Sequence, residues 1–291
     1  MTATGIWPAD DPAWEPWTLT VETDPGLGGR WTSLRSAAGD RGPEREWLWS
    51  NPDPEVAAAR VAAGPGAAFV DVGGVEECFP TVRGEPDHGA AWSRSWTAAE
   101  GGHRVRAGAL GLARRMRADA SLTVDYAVTG PPGTPFVHAV HALLDLSPAA
   151  RLHVPGIRTA HVLDHPVDGA VAVLPWPAGP GGTPLDRLGP DDGTAVAAVL
   201  PGCSSAAVVD GPDALVLRWR VTAGDPAATC SLLLWRNLCG WPEARPYRSV
   251  GVEPMVGTTA TLDGSGPGRP AATGPDGRLR WELTITAWRR T

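Results

Sequence analysis

The sequence predicts an all-β protein, a large antiparallel sandwich with few short helices. Period-2 alternation of apolar and polar residues dominates the chain, helical periodicity is nearly absent, and 36 glycines with 30 prolines punctuate the 291 residues with turns. A hydrophobic content of 43% is enough for a packed core. Sheets must bury one face against another, so many strands without helices imply a sandwich.

Taken in order, residues 1–16 read as an N-terminal arm that packs on the body through Trp7 and Trp14. Residues 17–291 then form one domain, because strands resume after each of the Gly/Pro clusters at 178–183 and 264–275. Alternation starts at Trp17–Thr23 and continues through 29–35 and 46–49. Residues 54–63 are the one short helix. Between His103 and Thr129 two longer alternating runs, the second over 120–128, read as a meander closed by the turn Gly130-Pro-Pro-Gly133. Val208–Val221 sets a Gly-Pro turn between two apolar runs, which predicts a hairpin, and Arg278–Trp288 is a final strand.

Charge and cysteine content exclude several classes. All 25 basic residues are Arg, 32 residues are acidic, and the formal charge is −7. No Arg run makes the positive stripe that a phosphate backbone requires, which argues against nucleic acid as a partner. The start lacks a basic region before an apolar core, and no stretch approaches ~18 apolar residues, so a cytoplasmic protein without a membrane partner is expected. Cys78, Cys203, Cys230 and Cys239 are scattered without a C-x-x-C pair and read as free thiols.

Four segments concentrate polar groups within apolar strand. In Val72–Pro80, Glu76 and Glu77 point to opposite faces of a strand, so at most one faces a given pocket. In Pro86–Trp96, Trp92, Arg94 and Trp96 share one side if the chain is extended, which suits a polyol: indoles cover C–H faces and Arg donates to hydroxyls. His88, between Asp87 and Gly89, sits at a turn. In Pro135–Asp145, His138 and His141 fall on opposite faces, which argues against a shared metal and leaves His141 as the inward residue. His161-Val-Leu-Asp-His165 lacks the helical context of a metal site. In Ser249–Gly257, Glu253 interrupts an apolar run just before Pro254, at what reads as a strand end, where a buried carboxylate needs a partner.

In this order the four segments resemble the aldose 1-epimerase family, the galactose mutarotases, in its bacterial branch. The resemblance runs from about Gly28 to Gly257 and rests on Gly28-Gly-Arg-Trp-Thr-Ser-Leu, Glu77-Cys-Phe-Pro-Thr81, Pro86-Asp-His-Gly89, Trp92-Ser-Arg94, the His141 strand and Val252-Glu-Pro-Met255. It implies a β-supersandwich that interconverts the α and β anomers of a free hexose or related aldose, with no cofactor and no metal. It further implies Glu253 as general base, His141 as general acid and His88 as the second histidine near C1 and the ring oxygen. Arg94, Glu77, Trp92 and Asp87 are the implied substrate-binding residues, in a monomer or homodimer. Two departures stand out: Ala142 follows His141 where the family often has Pro, and the Arg of the better-known branch's Ala-Asn-Arg motif has no counterpart, which leaves Arg94 as its expected replacement; the family's substrate-binding Asp also has no evident counterpart. Two alternatives stay open. One is a hexose-phosphate mutarotase, suggested by Arg114, Arg115 and Arg117; the other is a non-catalytic carbohydrate-binding module on the same fold.

Overall fold

The computed structural model describes residues 7–39, 43–163, 171–264 and 266–291. Its first strands are β1 (Trp14–Asp24), β2 (Arg30–Ala37), β3 (Glu44–Glu46), β4 (Val75–Cys78), β5 (Thr97–Ala99), β6 (Gly102–Ala107), β7 (Leu110–Ala118) and β8 (Leu122–Thr129). Next come β9 (Pro135–Phe136), β10 (His138–Leu144), β11 (Arg151–His153), β12 (Thr159–Leu163), β13 (Ala172–Pro175) and β14 (Thr194–Pro201). The chain closes with β15 (Ser205–Asp210), β16 (Asp213–Ala223), β17 (Cys230–Trp241), β18 (Tyr247–Val256), β19 (Ala271–Ala272) and β20 (Arg278–Arg290). One α-helix, α1 (Pro54–Ala62), starts with Pro54 in its first turn and the Asp53 side chain accepting from Glu55 N–H.

Among the described residues the strands pair antiparallel, in two large sheets and a separate two-stranded pair. The front sheet runs β1–β2–β4–β10–β18–β17–β14–β12–β13, with β3 also on β2. The back sheet runs β5–β6–β7–β8–β20–β16–β15–β11. Strand β1 serves both: Trp14–Trp17 pair with β20, and Thr18–Asp24 pair with β2. The expected meander is β6–β7–β8, and the expected hairpin is β15–β16, closed by Gly211-Pro212 between Asp210 and Asp213. The 46–49 run is shorter as a strand than its alternation predicts, since β3 ends at Glu46 and Leu48 and Ser50 make only isolated bridges. Within the 264–275 cluster β19 pairs with β9. Of the expected arm, residues 1–6 lie outside the described residues, and the Trp7 ring lies 5.5 Å from the Arg218 guanidinium.

The main core fills the space between the sheets, with Trp31, Trp47, Phe79, Tyr126, Phe136 and Trp281 fully or almost fully buried. Each fully buried Phe or Leu there contributes about 1.5–3 kcal/mol. A buried polar cluster crosses this core. Glu77 accepts from Arg114 Nη1 at 2.6 Å and Tyr126 Oη at 3.0 Å, and lies 2.9 Å from His138 Nε2. Trp281 Nε1 donates to His138 Nδ1 at 3.1 Å, so the proton of the neutral ring sits on Nε2 and is given to Glu77. These bonds offset the burial of Glu77 and hold its carboxyl below the usual range. A second, smaller apolar cluster, including Cys78, Val137, Ala139, Leu233 and Met255, covers the outer face of the front sheet.

Candidate active site

Register places the chemistry on that outer face. Ala139 lies opposite Cys78 and His141 opposite Glu76 across β10 and β4. On the other edge of β10, Ala139 faces Met255 and Leu143 faces Gly251, and the same register sets His141 opposite Glu253. Successive side chains alternate, so Glu76, His141 and Glu253 form a row across three strands with Cys78 beside it. Glu77 and His138 turn inward to the core.

Glu253 is fully buried, and its Oε2 lies 3.0 Å from His141 Nδ1. The contact is an ion pair rather than an aligned hydrogen bond: neither Glu253 oxygen nor His141 Nδ1 has a hydrogen-bond partner. Burial favours the neutral imidazole, but the Glu253 carboxylate outweighs it and pushes His141 up to about 9. Glu253 is not at a strand end as its Pro suggests, because β18 continues through Pro254, paired with Leu232, to Val256. The carboxylate folds back over Gly251, where a Cβ would stand 2.3 Å from Oε1. On the far side of His141, Glu76 is held by Arg60 from α1, with Nε–Oε1 at 2.8 Å and Nη2–Oε2 at 3.1 Å. Burial nonetheless lifts the Glu76 carboxyl to about 7.

His88 reaches the same place from a turn. Its φ of 58° is left-handed, and its N–H donates to Val82 O at 2.8 Å. Gly89 follows at φ 72°, where a Cβ would meet Phe79 O at 2.3 Å. The His88 ring stacks on Phe69 with centroids 3.6 Å apart, stands 5.2 Å from the His141 ring, and has Nδ1 2.9 Å from Asp87 Oδ2. Burial of Asp87 is outweighed by this bond, which lowers its carboxyl.

Glu253, His141, His88 and Asp87 thus line one cleft of about 450 Å³. The structure does not bring the other three expected residues there. Glu77 is spent in the inter-sheet core. Residues 91–96 form a turn rather than extended chain, so Trp92, Arg94 and Trp96 do not share a side. Trp92 is wholly buried beneath Phe69, its carbonyl accepting from Arg60 Nη2 at 2.8 Å. Arg94 lines a separate cavity with Arg104 and Arg106. Arg114, one of three arginines suggesting a phosphate, is buried against Glu77, and exposed Arg117 bonds Asp125. His161 lies on β12 beside a second recess, and Asp164 and His165 are outside the described residues.

Two features of the cleft escape sequence reasoning. Asp71 accepts from Tyr247 Oη at 2.6 Å through Oδ2, while its buried Oδ1 has no partner. The only signal was a lone acid in Ala-Phe-Val-Asp-Val, just outside the segment singled out. The aromatic wall consists of Trp235, Trp241 and Tyr247, the last stacked on Trp49 at 5.2 Å, rather than of the Trp92 segment. A carboxylate–imidazolium pair set in such a wall can move protons to and from a small polyol.

No protein-family model and no curated protein matches the chain. Solved structures do. A candidate aldose 1-epimerase from Escherichia coli K12 shares 16% identity over 94% of this chain and 99% of its own, with a TM-score of 0.62. A galactose mutarotase related enzyme from Lactobacillus acidophilus shares 13% over 95% and 97%, with a TM-score of 0.61. A galactose mutarotase-like protein from Lactobacillus casei shares 15% over 93% and 97%, with a TM-score of 0.57. The fold is therefore the galactose mutarotase-like β-supersandwich. No helix among the described residues is long and apolar enough to cross a membrane.

Proposed function

We propose that the protein is a mutarotase of a free hexose or a related aldose, with its chemistry in the Glu253–His141–His88 cleft. One observation carries this: a fully buried carboxylate with both oxygens unbonded, paired to an imidazolium beside a solvent-reachable cleft. Buried acceptors are ordinarily satisfied, and a sugar hydroxyl supplies the missing donor.

Opening a pyranose requires the C1 hydroxyl to lose a proton while the ring oxygen gains one. Glu253 takes the first. His141, charged at neutral pH, gives the second, and His88, whose Nδ1–H donates to Asp87, accepts a sugar hydroxyl at Nε2 beside the ring oxygen. The C1–O5 bond breaks as the C1–O1 bond becomes a carbonyl. After rotation about C1–C2 the aldehyde presents its other face, the O5 proton returns to His141, the Glu253 proton returns to O1, and the ring closes as the other anomer. Asp71 Oδ1 accepts from a remote hydroxyl, and Trp241 with Trp235 covers a C–H face of the ring.

Polarimetry or exchange NMR on a panel of aldoses tests the reading: equilibration accelerates with the wild type and returns to the spontaneous rate with Glu253→Gln. Sugar binding by calorimetry without acceleration of any sugar would instead identify a carbohydrate-binding module. Arg83 at the rim is the cation a phosphorylated sugar would meet. Much faster equilibration of glucose 6-phosphate than of glucose would assign the phosphorylated substrate.

A further inference from the structure

Cys78, His88 and His141 are brought together from three separate parts of the chain, a strand, a turn and the neighbouring strand. Their ligating atoms all lie within 4.8 Å of one another. Each histidine has a carboxylate at Nδ1: His88 Nδ1 is hydrogen-bonded to Asp87 Oδ2 at 2.9 Å, and His141 Nδ1 is ion-paired with Glu253 Oε2 at 3.0 Å. A carboxylate on one ring nitrogen is the outer-shell arrangement that aims the other nitrogen at a metal and raises its basicity. With Nδ1 so occupied, Nε2 of each ring remains to ligate a metal, and proton transfer to a sugar does not need the thiol.

We propose that Cys78, His88 and His141 form a Zn²⁺ site with an open fourth position toward the cleft. One thiolate and two imidazoles make a borderline-soft donor set that selects Zn²⁺ over Mg²⁺ or Ca²⁺. Tetrahedral zinc holds such ligand atoms about 3.5 Å apart, so the three must close by roughly 1 Å. His88 can supply that movement, since it sits in a turn whose preceding residues, Glu85–Asp87, are exposed, and its ring can slide along the face of Phe69. Binding replaces the Cys78 S–H by a Zn–S bond, and its proton, with any carried on a ligating Nε2, passes to buffer. On the function proposed above, a bound ion and a sugar exclude one another, because both need His88 and His141.

The test is spectroscopic and needs no sugar, so it stands or falls apart from the mutarotase reading. The reduced, metal-free full-length protein is titrated with Co²⁺, and Zn²⁺ then displaces it. The expected result is a near-ultraviolet thiolate-to-cobalt band with intense visible bands of four-coordinate Co²⁺, all lost on adding Zn²⁺. Cys78→Ser should remove the thiolate band while Cys203→Ser, Cys230→Ser and Cys239→Ser keep it. His88→Ala, placed in a surface turn, should abolish the four-coordinate bands even if Cys78→Ser folds poorly. Asp87→Asn should weaken Zn²⁺ binding by about 10–100-fold. Absence of the thiolate band in the wild type, or its persistence in Cys78→Ser or His88→Ala, overturns the proposal.

Discussion

Glu253 and Glu77 show how two buried carboxylates in one chain acquire opposite roles. Glu77 has a hydrogen-bond partner for each oxygen and serves structure; Glu253 has only the ion pair of its Oε2 with His141, and both its oxygens lack an aligned donor. Replacing Glu77 by Ala strands the buried Arg114 charge and should cost about 3–5 kcal/mol, read from urea unfolding. Glu253→Gln removes the base together with the charge that keeps His141 protonated, so the mutarotation rate should fall by at least about 10²–10⁴ while the chain still unfolds cooperatively in urea. On the proposed function, Asp71→Ala should raise KM with little effect on kcat, because its unpartnered Oδ1 would hold a hydroxyl remote from C1. Glu253 and His141 were legible because polar residues interrupt apolar strands there. Asp71 was not, since its partner Tyr247 is distant in sequence and only folding shows that one oxygen is left over.

At the level of elements, the strand reading succeeded wherever pairing was local. The β6–β7–β8 meander and the β15–β16 hairpin carry their registers in their own alternation. It failed at Trp92–Trp96, because same-side spacing at i, i+2 and i+4 presumes extended backbone, and this stretch is a turn fixed by other elements. Gly28, for instance, approaches so closely that a Cβ would lie 1.8 Å from Trp92 O. The β15–β16 turn is fastened across the molecule. Asp210 Oδ2 accepts from Arg45 Nη2 at 2.7 Å and from Ser147 N–H at 3.0 Å. Burial is outweighed by the hydrogen bonds from Ser147 Oγ, Ser147 N–H and Arg45, and the carboxyl is lowered. A depressed carboxyl contributes stability that is fully present above its unfolded value of about 3.9 and is lost as pH falls through the folded value. Asp210→Asn should therefore lower Tm at pH 7 and shrink the loss of stability below about pH 4, measured by thermal unfolding across acid pH.

Across the whole molecule, the sandwich follows from composition and alternation, while the location of the cleft follows from which sheet face each strand presents. Period-2 spacing separates His138 from His141, but the expectation that His141 is the inward one is reversed: His138 faces the second sheet and His141 the cleft, a choice the spacing does not contain. That is decided by the back sheet, whose Tyr126 and Trp281 close over His138 and leave His141 outside. The two faces of the front sheet therefore divide the labour, one toward the inter-sheet core and the other toward the candidate chemistry.

Strand β1 joins both sheets at one corner, where Trp14 pairs with Arg290 and Thr291 N–H donates to Ala13 O at 3.0 Å. Positions 13 and 291 are thus already stitched side by side, so in a variant cut to residues 13–291 a short peptide linking them would close the polypeptide into a loop without straining either layer. New ends could then be opened at the exposed Gly108 turn, on the back sheet, where a Cβ meets nothing within 4 Å. Such a circular permutant should fold and keep the properties of the parent cleft, as judged by its CD spectrum and its polarimetric rate.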